Sequence, residues 1–163
     1  MGRNKYKELP DRMESKNLEP YFEEFMRENE ATKDYNNMID DLYELADRQW
    51  NSYELMEPQL LDRFDKWFQL KLNDNEFDYH YIEATIVIMC MLGLQKSFNE
   101  LKSVKNKIRN EKVVAIIDHS LKYREVIVKD PFISMRDPNF HQHRDIDIKL
   151  DPAESLLFYQ IKK

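Results

Sequence analysis

The groups best suited to chemistry in this chain lie close together in its last quarter. Residues 139–151 read NFHQHRDIDIKLD, placing two of the four histidines beside three aspartates. Imidazole and carboxylate hold transition metals and move protons near neutral pH. If residues 141–150 form a strand, Ile146, Ile148 and Leu150 turn inward, and His141, His143, Asp145 and Asp147 line the other face. Alternate residues along a strand are about 6.6–7 Å apart, so these four extend over roughly 20 Å and cannot share one ion. His141 and His143 are therefore the metal candidates, and they need a third ligand, His119 or a carboxylate from elsewhere. The plainer expectation is a half-buried strand that shows its polar residues to water, with no metal and no cofactor.

A second pairing joins Arg136 to His141 in RDPNFH. This Arg-x4-His spacing resembles the catalytic motif of HEPN ribonucleases, all-helical domains whose dimers bring two such pairs together to cleave RNA without metal. The resemblance covers six residues. It implies that Arg136 would hold or polarise the scissile phosphate while His141 handles the proton, a task suited to a near-neutral imidazole.

Elsewhere such groups are sparse. His80 and His119 read as surface or partly buried helix residues, and Asp118 does not face His119 on a helix. Cys90, the single cysteine, sits in ATIVIMCML, where apolar surroundings make a thiol packing material rather than a nucleophile. One cysteine allows no disulfide within the chain, which fits a reducing cytoplasm. Two glycines, Gly2 and Gly93, are too few for a Gly-rich phosphate loop or a dinucleotide turn. MGRNKYKELP lacks the apolar core of a signal peptide, and the longest apolar run, residues 84–92, is about half a membrane span.

What the chain has in quantity is charge, 34% of residues beside 42% apolar ones, a globular balance. Residues 1–80 hold 20 acids and 11 bases, a net of −9, while residues 81–163 hold 11 acids and 14 bases, a net of +3. Segment 19–57 alone sets twelve acids against Arg27, Lys33 and Arg48. Acidic helices interleaved with exposed aromatics, here Tyr21, Tyr35, Tyr43 and Tyr53, make a surface that can steer and hold a basic partner. The expected function is thus a non-enzymatic cytoplasmic interaction protein of inhibitor or immunity type. It would bind a basic toxin or nuclease through Glu23, Glu24, Asp40, Asp41 and Glu44. The alternative is the HEPN-like ribonuclease acting through Arg136 and His141. The basic run at 96–112, six bases against Glu100 and Glu111, is a poor nucleic-acid footprint beside an acidic body. Neither nucleic acid, outside that alternative, nor membrane is an expected partner.

Helical periodicity must position these residues. Phe22, Phe25 and Met26 follow Pro20, a first helical position. Asp34 caps a second helix with Tyr35, Met38, Ile39, Leu42, Ala46 and Trp50 on one stripe. A third begins at Ser52 or Pro58 and runs to about Leu72, where Asn73-Asp74-Asn75 breaks it. Asp78 caps a fourth whose centre is apolar all round, so Ile82, Ile86, Met89, Cys90 and Leu92 should be deeply buried. Gly93 ends it, and Phe98, Leu101, Val104 and Ile108 mark a fifth. A sixth covers roughly 110–123, with Val113, Val114, Ile117 and Leu121 inward, although VVAII also suits a short strand. Beyond it, 125–129 and 144–150 are strand-like, and Asp151-Pro152 opens a C-terminal helix over 152–162. The expectation is a mainly α chain: a polar arm (1–18), then one domain (19–163). That domain would be a multi-helix bundle or stacked helical hairpins with a small two-stranded β element near the C-terminus.

Overall fold

Each helix start leaves N–H groups that a side chain can take up, and the choice of that side chain sets the architecture. The computed structural model describes residues 5–32, 34–74 and 79–136. Its helices are α1 (Ser15–Glu28), α2 (Tyr35–Asn51), α3 (Pro58–Asp74), α4 (Tyr79–Leu92), α5 (Gln95–Val104), α6 (Glu111–Lys129) and a short α7 (Ile133–Arg136). Two 3-10 turns, Lys5–Glu8 and Lys105–Lys107, precede α1 and follow α5. Among the described residues there is no strand. This is a mainly α multi-helix bundle; the expected strand at 144–150 and helix at 152–162 lie outside the described residues.

Three starts follow local rules. Asp34 accepts from the Asn37 N–H at 3.2 Å, and Asn110 accepts from Lys112 and Val113 at 2.9 and 3.3 Å. At α3 the cap is Glu57, whose carboxylate takes the N–H groups of Gln59 and Leu60, both at 3.0 Å, with Pro58 as first residue. The start of α5 is different. Leu94 offers no side-chain oxygen, and the cap comes from α3 instead: buried Asp65 accepts from the N–H of Lys96 (2.9 Å) and of Ser97 (2.8 Å) and from the Ser97 hydroxyl (2.7 Å). The end of α4 follows the expected glycine rule. Gly93 takes φ 75°, and Leu94 donates back to the Met89 carbonyl at 2.9 Å.

Two expectations are corrected. Residues 125–129 are the last turns of α6, not a strand. Val126, Ile127 and Val128 each disfavour a helix by only roughly 0.5 kcal/mol relative to Ala. Burying Val128, 2% exposed, contributes about 1.5–3 kcal/mol, so packing outweighs propensity. The first helix begins at Ser15, not Pro20, which lies inside it. Leu18 is fully buried, and that burial draws the earlier turn in.

Part of the stretch read as a polar arm, within residues 5–18, is packed on the helices. Tyr6 is 2% exposed, set edge-on to Tyr21 and against Phe25. The buried guanidinium of Arg48 on α2 donates to the carbonyls of Lys7 and Leu9, both at 3.1 Å, strapping this segment across the helix.

α4 lies between its two main neighbours, α2 and α6, while α3 packs on α5 and on α1. Contacts of α1 with α2, and of α5 with α4 and α6, join the two groups. An aromatic cluster fills the α1–α3 seam, Phe22 edge-on to Phe64 at 5.3 Å. Ile82, Ile86, Met89, Cys90 and Leu92 of α4 are all buried, as the all-round apolar pattern requires.

Candidate functional site

α4 buries most of its surface, yet its outward stripe is only half-covered: Tyr81, Ala84, Val87 and Met91, at i, i+3, i+6 and i+10. Beside Val87 and Met91 of that stripe lies a half-open hollow of about 300 Å³. Tyr43, Asp47 and Trp50 of α2 form one bank; Arg124 and Ile127 of α6 form the other. Val87, Cys90 and Met91 form the floor, and Pro131 with Ile133 closes one end. That end is fixed by Trp50, whose indole N–H donates to the Pro131 carbonyl at 3.2 Å and whose ring stacks on Phe132.

The banks differ in charge. On α6, Arg124 is 3.6 Å from the Glu83 carboxylate, which also accepts from the Ser120 hydroxyl. On α2, Asp47 is 3.7 Å from the Arg48 guanidinium and accepts from the Asn51 amide at 3.5 Å. That guanidinium is shared with Glu44 at 2.6 Å, Asp11 at 3.6 Å and the two backbone carbonyls. Partial burial pushes the Asp47 carboxyl above the ordinary range, Arg48 pulling the other way and the neighbouring Glu44 and Asp11 adding to the rise. Asp40, two turns earlier, accepts from the Tyr81 hydroxyl at 3.3 Å. Cys90 is inert here: burial pushes its thiol up to about 12.

The acids singled out from the sequence sit on two helices, Glu23 and Glu24 on α1 and Asp40, Asp41 and Glu44 on α2. Glu23 holds Arg63 of α3 in a two-pronged pair at 2.9 and 2.7 Å. Glu24 is held by Lys5 at 3.3 Å and by the Tyr6 hydroxyl at 3.0 Å, and Asp41 lies close enough to Tyr6 to bear on that hydroxyl. Glu44 is tied to Arg48. Tyr35, expected as an exposed aromatic, is a correction: it is 1% exposed and its hydroxyl meets Thr85 at 3.1 Å, because its place on the α2 stripe faces the core. Tyr43 and Tyr53 are exposed, and Tyr21 is half-buried.

Arg136 ends α7 and is ion-paired with Asp130. His141 and His143 lie outside the described residues, so both the Arg136–His141 pair and the His141/His143 metal pair fall there too. Among the described residues no group of three or more His, Cys, Asp or Glu is placed to hold a metal ion. None of their helices is long and apolar enough to cross a membrane.

Sequence reasoning missed Asp47, Val87, Met91, Arg124 and Ile127. A signal did exist in α4. A helix apolar on every side inside a small bundle carries more apolar surface than two flanking helices can cover, and the surplus is this stripe. Compared with family models, curated proteins and solved structures, the chain finds no match in any of the three.

Proposed function

We propose that this is a non-enzymatic interaction module, of inhibitor or immunity type, which engages a basic protein partner. The contact would run along the α2 bank, through Asp40, Asp47 and the exposed Tyr43. The observation that carries the reading is the shared cation beside Asp47. Glu23, Glu24 and Glu44 spend their charge on Arg63, Lys5 and Arg48 of the same chain. Asp47 sits beside an apolar hollow, and its nearest cation among the described residues is also engaged by Glu44, Asp11 and two backbone carbonyls. A cation arriving there gains a carboxylate that is partly desolvated, where attraction is stronger than in bulk water. The site residues named from sequence thus narrow to α2, with Glu23 and Glu24 reassigned to holding α1 against its neighbours.

The test starts from the partner recovered by affinity purification from the native host and identified by mass spectrometry. Its binding is then followed by surface plasmon resonance at several salt concentrations. The expected result is association that slows steeply with salt and falls by about tenfold or more in Asp40→Asn/Asp47→Asn, since steering acts chiefly on the on-rate. A partner that binds the double variant as fast as the parent, with no salt dependence, overturns the reading.

A further inference from the structure

We propose that the hollow between α2, α4 and α6 is a binding site for a small amphipathic zwitterion, an amino-acid-like molecule. Its apolar body would seat against Val87, Met91 and Ile127, its ammonium against Asp47 and its carboxylate against Arg124. Such a site shares Asp47 with the partner contact proposed above, but it needs neither Asp40 nor a protein and stands whether or not that contact exists.

Size, lining and charge together set the class of ligand. A volume of about 300 Å³ falls at the small end of small-molecule sites, which are mostly apolar and carry a few polar groups that fix orientation. That suits a single ring with short polar arms. Around the hollow Trp50, Val87, Met91, Ile127 and Ile133 all stay half-buried, so apolar surface remains for a ligand to cover. The lining also brings one acid and one base together from different helices, Asp47 of α2 and Arg124 of α6. Neither is tightly held. Asp47 has the Arg48 guanidinium at 3.7 Å and the Asn51 amide at 3.5 Å, and Arg124 has the Glu83 carboxylate at 3.6 Å. A carboxylate and a guanidinium each offer several hydrogen-bond positions, and contacts this long leave most of them open. Both groups border an apolar hollow, where attraction between charges is stronger than in bulk water. A ligand that is only cationic meets a like charge in Arg124, and one that is only anionic meets a like charge in Asp47. A neutral apolar ligand strips water from both groups and replaces none of its hydrogen bonds. A zwitterion answers both walls at once.

The experiment follows the methionine methyl signals of the whole chain by carbon–proton NMR, with the Met91 signal assigned through Met91→Leu. The ligands titrated are α-, β- and γ-amino acids that each bear a phenyl group, a set that varies the spacing of ammonium and carboxylate. Phenethylamine and phenylpropanoate are the probes with one charge only. At least one amino acid is expected to shift the Met91 signal saturably and to bind about tenfold or more tightly than either single-charge probe. This comparison uses the unaltered chain, so it decides even where a variant misfolds. Asp47→Asn and Arg124→Gln should each lower the affinity of that amino acid by about tenfold. They should also act by sign: Asp47→Asn should tighten phenylpropanoate, and Arg124→Gln should tighten phenethylamine. A merely structural role for either residue would weaken every ligand alike. No saturable shift of Met91 by any amino acid at millimolar concentration overturns the proposal. So does a single-charge probe that binds as tightly as the best amino acid, or affinity that survives both charge variants.

Discussion

Asp65 shows how much one buried carboxylate can decide. It is 5% exposed on α3 and supplies the cap that α5 lacks, so removing its carboxylate strips the N–H groups of Lys96 and Ser97 of their acceptor at once, while the Ser97 hydroxyl keeps the Asp65 carbonyl at 3.0 Å. Asp65→Ala is expected to destabilise by about 2–4 kcal/mol in urea denaturation, more than a surface cap, because the orphaned donors are buried. Nothing in the sequence marks Asp65 among 31 acids, since the N–H groups it serves lie some thirty residues further on. Asp34 and Asn110, by contrast, were readable because a local cap is written within four residues of its target. Asp47 gives a second test at this scale. Burial raises its pKa, and a basic partner prefers the ionised form, which is lost as pH falls through that raised value. Binding should therefore weaken on acidification before ordinary aspartates titrate, and Asp47→Asn should flatten the profile in a titration of affinity against pH.

The end of α6 separates two accounts of an element. Were 125–129 a strand, Val126→Ala would destabilise it; in a helix, with Val126 47% exposed, the same change should stabilise by about 0.5 kcal/mol. Chemical denaturation of the variant distinguishes the two by sign alone. α4 tests the opposite regime. Ile86 is fully buried, and Ile86→Ala should cost about 2–5 kcal/mol, read from the same denaturation midpoints. The fate of α4 could be read from sequence because its apolar content has no competing interpretation. The β-branched run at the end of α6 misled because propensity is a local quantity, while Val128 is decided by what lies across the core.

Across the described residues, part of the charge is spent on pairs between helices. Pairs run from α1 to α3 (Glu23–Arg63), α3 to α5 (Asp62–Lys96) and α5 to α6 (Glu125–Lys102). Hydrogen bonds from these bases hold all three carboxyls below their ordinary values. A carboxyl with a lowered folded-state pKa contributes stability that is present above its unfolded value and lost as pH falls through the lowered one. Thermal stability should accordingly hold above about pH 5 and decline below about pH 4, in small increments because these pairs are exposed. A melting temperature that rose on acidification would contradict it. Counting acids along 19–57 could not tell which ones their neighbours had already engaged, such as Glu23 by Arg63. The Arg48 strap carries a consequence of another kind. Its guanidinium grips the carbonyls of Lys7 and Leu9, groups that every amino acid possesses, and ignores the side chains beyond them. The spelling at those two positions is therefore free to drift while the path of the strap stays fixed. Arg48 has no such latitude, since lysine lacks the planar fork that reaches both carbonyls from one nitrogen and Glu44 from the other. Two descendants of one ancestor could keep this strap with hardly a letter in common along it.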